Sequence, residues 1–194
     1  MSEKFQEDAG GRWLPEGARV VPAEATRVFE GEIYDIYQWP QKMFDGSVKT
    51  FEMLKRADTV QIIAIKDGKI VVVLEEQPHK EKFYGVPGGR VDRGEDTLTA
   101  AKRELAEETG MVFGDFELVD VAQPMSNIEW FVYTYVTTNF VSQGEKELDS
   151  GERNEVFEMS CDEVLGLAPG MRLGRIFEIL RGNGRVQEIL KLVK

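Results

Sequence analysis

Apolar positions are densest between Thr59 and Glu76, where TVQIIAIKDGKIVVVLEE sets one apolar run on either side of Asp67-Gly68. Asp-Gly is a favoured two-residue turn, so the stretch is predicted to be a β-hairpin. The runs are nearly continuous rather than alternating, so both faces of these strands are expected to be covered. Upstream, RVFEGEIYDIYQW (27–39) is rich in β-branched and aromatic residues and reads as extended. Pro40 and Asp45–Ser47 interrupt that pattern as turns. Downstream, FYGVPGG breaks the chain, and FELVDVAQ, WFVYTYVTT and RNEVFEMS read as strands. The tail turns helical. SCDEVLGL opens with Ser160 and Glu163 spaced as a capping box, and GRIFEILRGNGRVQEILKLVK reads as two helices about a glycine turn.

One charged segment lies between the strands: GGRVDRGEDTLTAAKRELAEETGM, residues 88–111. Asp96 is placed to cap a helix and Gly110 to end it in a left-handed conformation. Leu98, Ala101 and Leu105 then share a face, expected against the sheet. The pattern predicts a mixed α/β protein in three parts. Residues 1–18 form a polar, Gly/Pro-punctuated flexible arm, 19–57 a small β-rich N-terminal subdomain, and 58–194 the main domain.

Charge narrows the chemistry. A net charge of −11 and a pI near 4.7 argue against nucleic acid and anionic membranes as partners, because the average surface repels phosphate. A phosphate-ester substrate would need a divalent cation to bridge like charges. No stretch approaches the roughly 18 apolar residues of a membrane span, and MSEKFQEDAGG is acidic and lacks an apolar signal core. Cys161 is alone, which excludes an intrachain disulfide and points to the cytoplasm. One cysteine and one histidine (His79) cannot build a usual Cys/His zinc cluster. A Cys161–His79 nucleophile pair stays geometrically open, but aspartate and glutamate are the abundant functional groups and point to carboxylates and hard metals. The arginines near the C-terminus (Arg172, Arg175, Arg181 and Arg185) are read as the wet side of helices.

Glu104, Glu107 and Glu108 fall within five residues on the predicted helix. Glu104 and Glu108 are one turn apart, so their repulsion destabilises the helix unless solvent or a cation relieves it. Mg²⁺ or Mn²⁺ suits such oxygen ligands; a solvated face is the other reading. The flanking spacing favours the metal. Gly89, Glu95, Arg103-Glu104, Leu105, Glu107-Glu108, Gly110 and Met111 satisfy G-x5-E-x7-R-E-U-x-E-E-x-G-U, where U is aliphatic. This is the Nudix box, and the chain resembles the Nudix hydrolase family.

The resemblance implies an α/β/α Nudix sandwich with a mixed sheet. It also implies hydrolysis of a nucleoside diphosphate linked to a group X, giving a nucleoside monophosphate and phosphorylated X. By the same likeness, Glu104 and Glu108 are the main ligands of Mg²⁺, helped by Glu107 and the Gly88 carbonyl. Arg103 should pair with Glu95 or Glu107, and Glu107 or Glu108 is a candidate base. Three further features are similar to the ADP-ribose or ADP-sugar pyrophosphatase branch. FEMLKRADTV places Arg56 before the first core strand, QPMSNIE places Pro124 five residues before Glu129, and GEKELDSGERNEV offers Glu152 as a catalytic base. Trp39, with Tyr34 and Tyr37, is read either as a nucleobase stacking surface or as sheet packing. The chain departs from the branch at Pro78-His79 and at VPGG, so phosphate contact is assigned to Lys80, Lys82 or Arg90. A hydrolase that sanitises damaged nucleoside triphosphates or cleaves dinucleoside polyphosphates is the alternative. An isoprenoid diphosphate isomerase would need Cys161 and His79 elsewhere, and a non-catalytic nucleotide sensor would be expected to lack box carboxylates. A homodimer built through the N-terminal strands is expected by analogy with that branch.

Overall fold

The hairpin at Asp67-Gly68 forms, with φ at 49° and 76°, the left-handed pair that a primed turn requires. The computed structural model describes residues 5–192 except 9, 79, 149–150, 152 and 169–170, with the backbone alone at 171 and 172. In chain order its strands begin with β1 (Phe5–Glu7), β2 (Trp13–Pro15), β3 (Thr26–Phe29), β4 (Asp35–Lys42) and β5 (Val48–Lys55). There follow β6 (Thr59–Lys66), β7 (Lys69–Gln77), β8 (Lys80–Gly85), helix α1 (Thr97–Thr109), β9 (Met111–Phe113), β10 (Glu117–Ala122) and β11 (Ile128–Glu129). The chain ends with β12 (Val132–Thr137), β13 (Phe140–Gln143), β14 (Arg153–Met159), α2 (Cys161–Gly166), α3 (Met171–Gly182) and α4 (Gly184–Leu192). Two compact units result: Met1–Thr59 with Val121–Val132, and Val60–Asp120 with Tyr133–Lys194.

In the second unit a mixed sheet runs β10-β12-β6-β7-β14, with β8 also paired to β7. Successive strand residues point to opposite faces. Ile63, Ile65, Ile70 and Val72 therefore join one cluster with Leu173, Ile176, Leu180 and Val186 of α3 and α4. Val60, Ile62, Ala64, Val71 and Val73 point the other way and are equally buried. Each apolar side chain of this size contributes about 1.5–3 kcal/mol by leaving water. That double burial is why the sequence shows apolar runs instead of alternation. No described helix is long and apolar enough to cross a membrane.

Several elements differ from the sequence reading. FYGVPGG contains the end of β8, whose Val73↔Gly85 and Leu74↔Tyr84 pairs use the stretch of β7 beyond its pairing with β6, despite weak alternation of its own. Within the expected arm, Phe5 and Trp13 meet edge to face at 5.7 Å and β1 pairs with β2. Leu98 was expected on the buried face of α1 but is 37% exposed; Ala100 joins Ala101 and Leu105 there instead. Arg175 was expected to be solvated. It instead donates to both carboxylate oxygens of buried Asp120, at 2.9 and 2.6 Å, fastening α3 to β10. Burying Asp120 without that partner would be costly, which is why the arginine turns inward.

In the first unit the sheet runs β11-β5-β4-β3, with β11 parallel to β5 through Ile128↔Leu54 and Glu129↔Lys55. The two residues of β11 are too few for any sequence pattern to reveal.

Candidate functional site

Helix α1 carries the charged cluster, and its ends are fixed by its own sequence. The Asp96 side chain accepts from the Leu98 and Thr99 N–H groups, each at 3.0 Å, and Gly110 closes the other end at φ 70°. Ala100, Ala101 and Leu105 bury one face, which leaves the Arg103, Glu104 and Glu107 side chains partly open.

Arg103 organises the cluster. Its Nε and Nη2 donate to the two oxygens of Glu95 at 3.0 and 2.9 Å. Nη1 donates to Glu104 at 2.9 Å and to Glu107 at 3.0 Å, and Nη2 also donates to the Arg90 carbonyl at 3.0 Å. All five donors of the guanidinium fork are thus in use, which a lysine could not match. The expected pairing with Glu95 or Glu107 therefore takes in both, and Glu104 as well. The Glu95 hydrogen bonds lead the effects that raise the arginine's pKa, and the same bonds hold the Glu95 carboxyl below its ordinary 4.5.

A carboxyl depressed in the folded state stabilises above its ordinary pKa, and the contribution disappears as pH falls through the depressed value. Glu95→Gln is therefore expected to lower stability most near neutral pH. In urea unfolding the gap to wild type should close as pH drops below about 4.5. A gap that does not change with pH would contradict this.

Glu108 is 6% exposed, and its Oε2 accepts from the Gly88 N–H at 3.0 Å. The loop before α1 is held along β6, where Val60 N–H donates to the Gly89 carbonyl and Ile62 N–H to the Pro87 carbonyl. A Cβ at Gly88 would lie 2.1 Å from the Val60 carbonyl oxygen, so only glycine fits. At Gly89 a Cβ would lie 2.4 Å from both Glu104 oxygens. The two glycines bring the Glu108 and Glu104 carboxylates onto the loop backbone.

As placed, no three His, Cys, Asp or Glu side chains among the described residues converge on one metal position. The Arg103 guanidinium is the cation that Glu95, Glu104 and Glu107 share. The donor set is nonetheless hard oxygen on one helix turn, and glycine at 89 lets the Glu104 carboxylate lie against the loop backbone. Both features fit a divalent cation of the Mg²⁺ type.

The other expected residues fall elsewhere. Arg90 is exposed and lies 3.7 Å from Asp92; Lys82 is exposed between Glu76 and Glu155. Arg56, Trp39, Pro124 and Glu129 all belong to the first unit. Arg56 lies between the Tyr34 and Trp130 rings, 5.6 and 4.6 Å from their centres, and its Nε is buried without a hydrogen-bond partner. Trp39 packs on its cross-strand neighbour Phe51 at 5.3 Å, and Pro124 sits exposed at a bend. Glu129 is buried and accepts from Arg12 at 3.0 Å, Lys55 at 2.8 Å and the Val21 N–H. Burial pushes its carboxyl up, but these bonds outweigh it and hold the pKa low. Glu152 and His79 lie outside the described residues. Sequence reasoning missed Asn154, whose side chain bonds the Glu108 carbonyl at 2.9 Å; a lone asparagine opening a strand gives no signal.

Known proteins resemble this chain in sequence and in fold. The model of the NUDIX domain family matches residues 55–176. An ADP-ribose pyrophosphatase of Bacillus subtilis (strain 168) is 26% identical over 145 residues, covering 73% of this chain and 78% of its own. A methanol dehydrogenase activator of Bacillus methanolicus is 25% identical over 146 residues, covering 73% and 79%. Among solved structures, one described as an ADP compounds hydrolase superposes with a TM-score of 0.66. It is 19% identical and covers 84% of this chain and 95% of its own, a likeness of fold.

Proposed function

The chain belongs to the Nudix hydrolase family, and from that premise we propose that it hydrolyses the pyrophosphate bond of ADP-ribose or another nucleoside diphosphate sugar. The observation that carries the reading is the pair Glu104 and Glu107 gripped by Arg103, beside Glu108 anchored on the Gly88 N–H and with the Glu104 oxygens lying against Gly89. Glu104 and Glu108 would hold Mg²⁺ or Mn²⁺, with Glu107 and the Gly88 carbonyl assisting. A divalent cation there neutralises the diphosphate and lowers the pKa of the attacking water.

The chain's own residues do the rest. Arg103 keeps three carboxylates from splaying apart under mutual repulsion, as outer-sphere partners of metal ligands generally do. Gly88 anchors Glu108 through its N–H, and Gly89 leaves room for the Glu104 oxygens. Either a box glutamate, Glu107 or Glu108, or Glu152 is assigned as the base, Glu152 on the likeness of its acidic stretch to that branch. In the first unit, Arg56, which lies between the Tyr34 and Trp130 rings, is assigned to substrate on the likeness of its sequence position to that branch. The ADP-ribose pyrophosphatase name of the Bacillus subtilis relative supports this choice of substrate class.

A panel at one concentration with Mg²⁺ tests the reading: ADP-ribose, other nucleotide sugars, an oxidised nucleoside triphosphate and a dinucleoside polyphosphate. Turnover should be fastest on ADP-ribose or a related sugar nucleotide, with AMP and a sugar phosphate as products. Fastest turnover of the oxidised triphosphate or the dinucleotide would replace this reading with the sanitising one.

A further inference from the structure

A helix ends with four carbonyls that its own N–H groups cannot reach, so where they go is an accounting question. In α1 the Ala106 carbonyl accepts from the Gly110 N–H at 2.7 Å, an ordinary local cap. The remaining three are held from elsewhere in the unit. The Glu107 carbonyl accepts from the Glu147 N–H at 2.9 Å, and the Thr109 carbonyl from Gln143 Nε2 at 3.0 Å. The Glu108 carbonyl accepts from Asn154 Nδ2 at 2.9 Å. Asn154 is itself clamped, because Lys146 Nζ donates to its Oδ1 at 2.9 Å and to its main-chain carbonyl at 3.1 Å. Its backbone sits in β14, opposite Glu75 of β7. One amide thus joins the edge of the sheet to the residue whose carboxylate holds the loop at Gly88.

We propose that Asn154 is a positioning residue, which sets the last turn of α1 and so fixes where Glu107 and Glu108 present their carboxylates to a divalent cation. The inference rests on the metal role proposed above for those two glutamates. Asn154 touches neither cation nor substrate. It acts through a main-chain bond, in the way outer partners of metal ligands govern affinity by fixing orientation. Lys146 supports it by fixing the amide's rotation: with Oδ1 occupied by the ammonium, Nδ2 is left facing the helix.

Asn154→Asp tests this, since aspartate keeps the shape and the Lys146 contact but sets an oxygen against the Glu108 carbonyl. Mn²⁺ binding to the full chain, read from the electron paramagnetic resonance of free Mn²⁺, should weaken by about tenfold. On the best substrate kcat should fall by about tenfold with KM within about twofold, because ligand placement rather than substrate binding is disturbed. Circular dichroism should be unchanged. Lys146→Met, at an exposed position, should shift both readouts the same way by less, and it decides the matter if the aspartate variant does not fold. Wild-type Mn²⁺ affinity in the folded variants would overturn the inference, leaving Asn154 a plain helix cap and the proposed function standing. A wild-type chain that binds no Mn²⁺ would overturn both.

Discussion

Glu108→Gln is expected to lower kcat/KM by at least about 100-fold while leaving the fold intact, since residues that merely orient metal ligands already cost 10–100-fold when lost. The substitution separates two jobs. Glu108 is 6% exposed and its Oε2 holds the Gly88 N–H at 3.0 Å. A glutamine carbonyl oxygen can still accept that bond, so the loop stays anchored and only the charge disappears. Steady-state kinetics beside thermal unfolding checks it. Activity within about threefold of wild type would remove Glu108 from the metal site.

The second large effect falls on Arg103. Arg103→Lys retains the charge but offers a compact ammonium in place of a planar fork. Five hydrogen bonds, to Glu95, Glu104, Glu107 and the Arg90 carbonyl, cannot all be kept. A loss of about 2 kcal/mol in stability is expected, on the scale of a hydrogen bond or two to a charged group, discounted because the side chain is 28% exposed. Activity should fall by about 10–100-fold, because Glu104 and Glu107 lose the planar fork that spaces them. Arg103→Ala should be worse in both, with three carboxylates left to repel one another. Chemical denaturation and kinetics on the three proteins give the comparison. A lysine variant equal to wild type in both would mean that charge alone, not fork geometry, holds the cluster.

How much of this was legible in the sequence depends on the range of the interaction. Local chemistry could be read directly: the Asp67-Gly68 turn, the Asp96 cap, the Ser160–Glu163 capping box and the Gly110 stop all formed as expected. Each is set by residues within one turn of one another. The pairing of Arg103 with Glu95 or Glu107 was expected from the family resemblance, and the structure forms both. What escaped was decided across the fold. Arg175 is nine residues from the end of α2 and 55 from Asp120, and only the packed sheet brings that carboxylate under it. Asn154 is 46 residues from Glu108 and acts on a carbonyl, a group every residue carries and no sequence pattern distinguishes. Gly88 could be read as a turn glycine, but its real constraint is the Val60 carbonyl 2.1 Å from where a Cβ would be. Strand β8 was missed for a related reason: its pairing is dictated by the stretch of β7 that β6 leaves open rather than by its own residues.

The most direct measurement is anomalous scattering from a crystal of the wild-type chain soaked in Mn²⁺. The account predicts one or more Mn²⁺ peaks in coordination contact with the carboxylates of Glu104 and Glu108, with Arg103 retaining Glu95. No peak on that face, with Glu104 and Glu107 still closed on Arg103 at full Mn²⁺ concentration, would contradict it.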